Sequence, residues 1–507
     1  MNNDKPIIWT ISGADCSGGA GIAADIKTGH SLNTEVCHLI TVNTVQNSEV
    51  LVSVNPVASE LLLEQVECLL TDKVPSAIKI GLIANKEQVA AIVTIIENVR
   101  QANKNVKVIY DPVGQASVGG KFNQLTSADL KPLLIHVDVL TPNVIEAGSL
   151  SQRQGSTLKE IAQSLLQLGC NSVVIKGGHA EGDISSDVCY HQLINEMQLE
   201  KLDTTEIVYT LKTPRIGTSY SHGGGCSFAS ALACFIAHGY LLRDALVLTK
   251  AFINQGLTAQ EGKSGYYGAF EQTNWPQQKS LFPVAEDEVI RKYQSLPSFP
   301  SLGIIRGDGE KLGLYPVIGS LEWLAKLLPL NLNIVQLRLK GYQEAELEPM
   351  IKEAVEMCKG SNTRLFINDY WQLAIKHGAY GVHIGQEDLI SADLAAIHAS
   401  GLRLGISTHG CYEFLLAQQL KPSYLAVGAI FETKTKDMSS QLQGVDNLKQ
   451  ILTLSTDIPV VAIGGINHDR APEVWQTGVD SLAVVTAITE AEDYVDSVDT
   501  FKTIMSD

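Results

Sequence analysis

The chain has 507 residues, 45% of them hydrophobic and 18% charged, and a formal net charge of −17. That length implies two or three domains, each with its own core, and the composition is that of an ordinary globular protein. The acidic balance argues against a nucleic-acid or membrane-surface partner, which needs basic patches, so any phosphorylated ligand must be held by local donors. The nine cysteines are an odd number without CxxC pairs. They argue against a disulfide framework or a zinc site and point to reduced thiols in the cytoplasm. The opening residues MNNDKPIIWTISG do not read as a signal peptide, and no apolar run reaches transmembrane length.

Ile7–Ile11 predicts a buried strand, and SGADCSGGAGIAADIKT follows it. Gly18, Gly19 and Gly21 form a tight turn before a helix. The turn is no P-loop, because GxxxxGK[ST] is absent. Gly19–Ala24 fits only the looser GxGxxA pattern, too far past the strand for a dinucleotide turn. Further strands are predicted at Val36–Val42, Ala77–Ile83, Val106–Val113, Val137–Thr141 and Ser172–Lys176, with helices between them such as Glu60–Leu70 and Gln88–Val99. This alternation implies a mostly parallel sheet covered on both faces. Asp111, Asn143, Glu146 and Lys176 each come at or just after a strand end. Ligands of open parallel sheets bind beyond the carboxyl ends of the strands, so these four predict one crevice.

Ser221–Ser227 reads SHGGGCS, three glycines ahead of an apolar helical run that begins at Phe228. Bare N–H groups and the helix dipole make such a place suit an anion. A thiol there is expected to have a lowered pKa, so Cys226 is a candidate base or nucleophile.

GGAGIAADIKT, DPV, TPNVIEA, IKGGH and HGGGCS, in this order, resemble the hydroxymethylpyrimidine/hydroxymethylpyrimidine phosphate kinases of thiamine biosynthesis, a ribokinase-fold family, over roughly residues 6–265. The resemblance implies ATP as co-substrate, Mg²⁺, and an anion hole at Gly223–Gly225. Cys226 takes the place of the catalytic aspartate of most ribokinase relatives. Asp25 and Gln46 are implied at the pyrimidine, Lys176 at the nucleotide phosphates, and Asp111, Asn143 and Glu146 as nucleotide and magnesium support. The chain departs from the family pattern at Gly224, usually threonine, at Gly114, usually methionine, and at Ser117–Val118, usually Lys/Thr–Ser. Two alternatives stand beside this reading: another ribokinase-fold kinase such as a pyridoxal kinase, or a pyrimidine-binding module that has lost catalysis.

Leu296–Gly303, LPSFPSLG, is rich in proline and serine and carries no charge. It reads as a linker or packed connector, with a boundary near 297 and domains of 1–297 and 298–507. Beyond it, eight short apolar runs recur: 312–318, 333–339, 364–369, 381–385, 403–408, 424–431, 459–466 and 481–488. With helix-compatible segments in most gaps, they predict a closed (β/α)₈ TIM barrel whose chemistry sits at the carboxyl ends of its strands. Polar residues gather there: Gln336, Arg338 and Lys340; Asn368 and Asp369; Asp388; Ser407 and His409; Thr433, Thr435 and Lys436; Gly464 and Gly465; Thr486. Arginine and lysine beside aspartates suit a metal–diphosphate complex.

QLRLK, FIND, GVHIGQEDL, GISTH, TKTK and VVAIGGI resemble the thiamine phosphate synthases over roughly 310–490. The implied substrates are hydroxymethylpyrimidine diphosphate and the phosphate ester of hydroxyethylthiazole. Asp369 and Asp388 are implied to bind Mg²⁺, and Arg338, Lys340, Asn368 and Lys436 to hold the diphosphate. Gln336 and Ser407 fall near the pyrimidine, and Thr433, Thr435, Gly465, Val485 and Thr486 at the thiazole phosphate. Tyr370 replaces a commoner polar or charged residue and Thr486 a commoner serine. Together the two resemblances imply a bifunctional enzyme in which one half makes a substrate of the other. The implied partners are small molecules, and a homo-oligomer is left open.

Overall fold

The computed structural model describes residues 5–47, 49–114, 125–178, 182–192, 206–265, 267–304, 306, 309–433 and 442–506. Ser117–Val118, Thr435 and Lys436 lie outside the described residues. Contacts divide the chain into two units, Met1–Glu286 and Asp287–Asp507.

The first unit is built on β1 (Ile7–Asp15), β2 (Glu35–Gln46), β3 (Leu51–Pro56), β4 (Ala77–Ile80), β5 (Lys107–Tyr110), β6 (Val139–Leu140), β7 (Ser172–Ile175), β8 (Ile184–Gln192), β9 (Glu206–Pro214) and β10 (Val284–Glu286). They form one ten-stranded sheet in the order β10-β9-β8-β7-β6-β5-β4-β1-β2-β3. From β2 to β7 the pairing is parallel. β3, β8, β9 and β10 are added antiparallel at the edges. The parallel strands are nearly continuous apolar runs because helices cover both faces, and Ile8, Trp9 and Ile11 are fully buried. The antiparallel edges escaped the sequence reading because segments such as ISSDVCYHQ mix polar and apolar residues on a half-covered surface.

The helix Gly224–Ala237 packs on β1, β4 and β5, and Phe228, Ala229, Ala231, Leu232 and Phe235 are among its buried residues. Its alanines let it lie close to the sheet. Its N-terminus thereby meets the carboxyl ends of the central strands.

The second unit is a closed barrel of β11 (Gly313–Ile318), β12 (Ile334–Leu337), β13 (Arg364–Asn368), β14 (Gly381–Ile384), β15 (Arg403–Thr408), β16 (Tyr424–Val427), β17 (Val460–Ile463) and β18 (Ser481–Val484). Every expected run supplies one strand, and every pair is parallel. The barrel interior is filled by Tyr315, Phe366 and Tyr424, packed edge to face. Two glycines leave room for these rings: a Cβ at Gly405 would stand 2.2 Å from the Tyr424 ring, and one at Gly381 2.4 Å from that of Phe366.

The uncharged segment around Leu296–Gly303 belongs to this unit. Phe299 and Leu302 are buried, Ser423 Oγ donates to Pro300 O at 2.7 Å, and Arg364 donates to Leu302 O at 3.1 Å. Ahead of it, the helix Glu288–Tyr293 is anchored by Tyr293, whose hydroxyl donates to Ala392 O at 3.0 Å. The division therefore falls at Glu286/Asp287, ahead of the expected 297. Expressed separately, 1–286 and 287–507 are expected to be soluble and folded. A barrel begun at 298 loses the buried side chains of Ile290 and Tyr293, each worth about 1.5–3 kcal/mol, and should melt several degrees lower in a thermal scan. Equal melting of the two barrels would show that the helix contributes nothing. Among the described residues no helix is long and apolar enough to cross a membrane.

Candidate active sites

In the first unit, two glycine-rich loops meet backbone to backbone. Gly223 caps the helix Gly224–Ala237 with φ of 83°, and a Cβ there would stand 1.9 Å from Gly19 O. Gly224 is different, because a Cβ there meets nothing within 4 Å. The backbone thus tolerates the threonine usual in the family. Asp15, at the end of β1, ties the loops together. Its carboxylate accepts from Ser17 N, Gly19 N and Ala20 N, and its Oδ2 lies 2.8 Å from His222 Nε2. Burial alone would raise the Asp15 pKa, but the hydrogen bonds from His222, Gln46 and Ser17 outweigh it and hold the carboxyl well below the usual range. Gln46 is thereby placed beside this loop pair, half-buried, with its backbone against Cys16.

Asp25 is fully enclosed. It accepts from Thr10 Oγ1 at 2.5 Å, Ser230 Oγ at 2.7 Å and Lys79 Nζ at 2.8 Å, and Lys79 is as deeply buried. The structure thus sets Asp25 to hold Lys79 in place, with no surface of its own exposed to a ligand.

The expected crevice residues converge at the helix start. Lys176 pairs with Asp111 at 2.7 Å. The position a Cβ of Gly225 would take lies 3.6 Å from Lys176 Nζ and 3.7 Å from Asp111 Oδ2. Burial works against the charge of Lys176, but Asp111 and Glu146 more than offset it and hold the ammonium above its ordinary pKa. Asn143 and Glu146 form a reciprocal cap on the helix Val144–Ser151, Asn143 N donating to Glu146 at 2.8 Å and Glu146 N to Asn143 Oδ1 at 2.9 Å.

Burial, opposed by Lys176 but reinforced by Asp111, pushes Glu146 up to about 7. The folded state therefore holds an extra proton between the ordinary 4.5 and about 7, and stability falls as pH rises through that window. Glu146→Gln keeps the cap and removes the penalty. In denaturant titrations of residues 1–286 it should add of order 2 kcal/mol at pH 8 and almost nothing at pH 4.5. Equal gains at both pH values would remove the carboxylate as the cause.

The expected lowering of the Cys226 pKa is not what the surroundings give. Burial pushes the thiol up to about 11; Lys79 opposes this, while Asp25 and Asp111 add to it. Two buried carboxylates and lost hydration outweigh the helix end, so the resting group is a thiol.

In the barrel, Lys340 pairs with Asp369 at 3.0 Å, just past the ends of β12 and β13. Asp369 has a left-handed backbone, φ of 64°, that turns the chain after β13. Asp388 follows β14 in the short helix Gln386–Leu389. β13 and β14 are neighbours, so Asp369 and Asp388 come from adjacent loops at the mouth, and both are half-buried. Among the described residues no group of three or more histidine, cysteine or acidic side chains could hold a metal. Mg²⁺ does not need one, because it takes one or two carboxylates and completes its shell with water and phosphate oxygens. The residues present therefore fit that ion.

Asn368 is buried at the end of β13. Gly465, φ of 63°, would drive a Cβ to 2.4 Å from Glu432 O, so the turn after β17 requires glycine. Arg338, Thr433, Val485 and Thr486 are all half-buried at strand ends of the same face. Below them, Gln336 Nε2 donates to Tyr315 OH at 3.3 Å, and Tyr315 OH lies 2.7 Å from Tyr424 OH. Tyr424 OH lies 2.7 Å from His383 Nδ1, and His383 Nε2 2.8 Å from Ser407 Oγ. Burial pulls His383 down to about 4, so it is neutral.

The family model for phosphomethylpyrimidine kinase matches residues 15–269, and that for thiamine monophosphate synthase matches residues 314–488. The thiamine-phosphate synthase of Yersinia pestis (strain Pestoides F) is 53% identical over 198 residues, 39% of this chain and 89% of the relative. The chain belongs to both families. A phosphomethylpyrimidine kinase from Clostridium difficile 630 is 26% identical with a TM-score of 0.39, covering 50% of this chain and 99% of that one. A Staphylococcus aureus pyridoxal kinase in complex with ADP is 26% identical with a TM-score of 0.46, covering 56% and 98%. The chain is a fusion of the two transferases, kinase first and synthase second.

Sequence reasoning missed Asp15, His222 and Lys79 in the kinase half. Asp15 and His222 both lie inside the glycine-rich stretches SGADCSGGAG and SHGGGCS, where a polar side chain reads as an ordinary loop residue. Lys79 sits in a strand that reads as apolar, AIKI, and a charge there is itself a signal of a buried partner. In the synthase half it missed Tyr315, Tyr424 and His383, which lie on the inner face of the barrel.

Proposed function

We propose that the kinase half phosphorylates hydroxymethylpyrimidine and then its monophosphate with ATP and Mg²⁺, and that the synthase half condenses the diphosphate with hydroxyethylthiazole phosphate, releasing pyrophosphate. The observation that carries this is the presence on one chain of two families whose reactions are consecutive.

In the kinase half, the N–H groups at Gly223–Gly225 receive the transferred phosphate, and Lys176 and Asp111 lie against that helix start. Lys176 neutralises the nucleotide phosphates. Asp111, Asn143 and Glu146 carry the magnesium support. Cys226 accepts the proton of the attacking hydroxyl, and Lys79, fixed by Asp25, favours the thiolate form. Gln46, beside the Asp15–His222 pair, faces the pyrimidine.

In the synthase half, Asp369 and Asp388 would hold Mg²⁺, which when bound neutralises a departing pyrophosphate. Arg338, Lys340, Asn368 and Lys436 orient the diphosphate. Gln336 and Ser407 orient the pyrimidine. Thr433, Thr435, Gly465, Val485 and Thr486 hold the thiazole phosphate. All nine cysteines are free thiols, which supports a reducing cytoplasm.

The test is to incubate the full chain with hydroxymethylpyrimidine, thiazole phosphate, ATP and Mg²⁺. Thiamine phosphate is expected, and omission of any one component should stop it. Pyridoxal in place of the pyrimidine is the control for kinase specificity. Turnover of pyridoxal alone would overturn the assignment.

A further inference from the structure

The buried polar groups inside the barrel make one unbroken chain from Gln336 to Ser407. Its three inner members, Tyr315, Tyr424 and His383, are 1%, 0% and 6% exposed. None of the three is itself assigned to a ligand under the proposed function. Yet the chain ends on the two residues which that reading puts at the pyrimidine.

Proton counting restricts this chain to one direction at a time. Each phenol has one proton to give, and a neutral imidazole has one N–H and one bare nitrogen. Gln336 Nε2 donates to Tyr315 OH, so the Tyr315 proton goes to Tyr424. The Tyr424 proton then goes to His383 Nδ1, and His383 Nε2–H donates to Ser407 Oγ. A proton on Nδ1 with Gln336 still donating would leave a buried phenol proton without an acceptor, which interiors avoid. Ser407, already accepting, has its own O–H left to give outward. Gln336, with its amide nitrogen donating inward, keeps Oε1 on the other side of the amide.

We propose that Tyr315, Tyr424 and His383 form a directional relay that sets the polarity of the pyrimidine subsite, making Gln336 an acceptor and Ser407 a donor. The ligand that matches offers one exocyclic amine N–H and one bare ring nitrogen, as an aminopyrimidine does. Its oxo analogue, with a carbonyl and a ring N–H, matches neither. These three are positioning residues, because they act through Gln336 and Ser407. The proposal rests on the reading that the barrel binds the pyrimidine diphosphate there.

The relay is tested without a variant or a ligand. In ¹⁵N-histidine spectra of the full chain, the His383 ring is recognised by its contact with the Tyr424 ring, whose centroid lies 5.6 Å away. The Nε2–H tautomer is expected, and the Nδ1–H tautomer would overturn the stated polarity. The second arm is Tyr424→Phe, which cuts the relay but leaves both outer residues. Its preference for the amino over the oxo diphosphate, as a ratio of kcat/KM, should fall by about tenfold or more. An unchanged ratio overturns the proposal. A chain that turns over no aminopyrimidine diphosphate at all defeats the functional reading instead, and the tautomer still decides the relay.

Discussion

Cys226→Ala is expected to lower kinase turnover by about a thousandfold, within the range a positioned base contributes, and to leave synthase activity from supplied diphosphate unchanged. The raised pKa adds a sharper expectation. A base must be deprotonated to act, and a thiol near 11 is almost wholly protonated at pH 7. Wild-type kcat/KM for the kinase should therefore climb by about tenfold per pH unit from 7 to 9, without a plateau. In Cys226→Ala that slope should vanish. Cys226→Asp restores the residue of most ribokinase relatives, ionised near neutrality, so it should regain rate at pH 7 with a flat profile. Retention of most activity in the alanine variant, or an unchanged slope, would show that the proton goes elsewhere.

Asp388→Asn should cost the synthase about a hundredfold or more, near 3 kcal/mol of transition-state stabilisation. The side chain keeps its shape and loses its charge. A diphosphate brings several negative charges to a mouth where Lys340 is already engaged by Asp369 at 3.0 Å. Bond breaking at the pyrimidine methylene concentrates more charge on the departing oxygen, so a weakened cation site tells more in the transition state than in the ground state. The Mg²⁺ concentration for half-maximal rate should rise, and kinase activity should not change. A Mg²⁺ titration of wild type and variant with purified diphosphate measures both. A normal rate with a normal Mg²⁺ requirement would place the ion away from Asp388.

The architecture of both halves was legible because their central strands are covered on both sides and so read as plain apolar runs. The barrel's GVHIG and RLGIST runs needed no more than that. What stayed hidden has two physical causes. The edge strands β3 and β8–β10 face partial cover, so their pattern mixes with that of loops. The buried polar side chains are few and scattered, and nothing along the chain announces that Lys79 meets Asp25 or that His383 meets Tyr424. The pKa of Cys226 departs from the sequence expectation for the same reason. The helix end is local and visible in the sequence, whereas the carboxylates of Asp25 and Asp111 arrive from distant strands and helices.

The loop contact at Gly223 bears on how this protein can vary. The obstacle to a side chain there is the carbonyl oxygen of Gly19, and at Gly21 it is that of Gly13, each about a bond and a half from where a Cβ would stand. A crowded side chain can be trimmed by a second substitution, but a backbone oxygen cannot. No compensating change at a single neighbouring position can therefore open these sites. In a library of random variants, Gly21 and Gly223 should remain glycine in every survivor with kinase function. Drift in this loop pair is channelled to Gly224, where the next side chain meets open space.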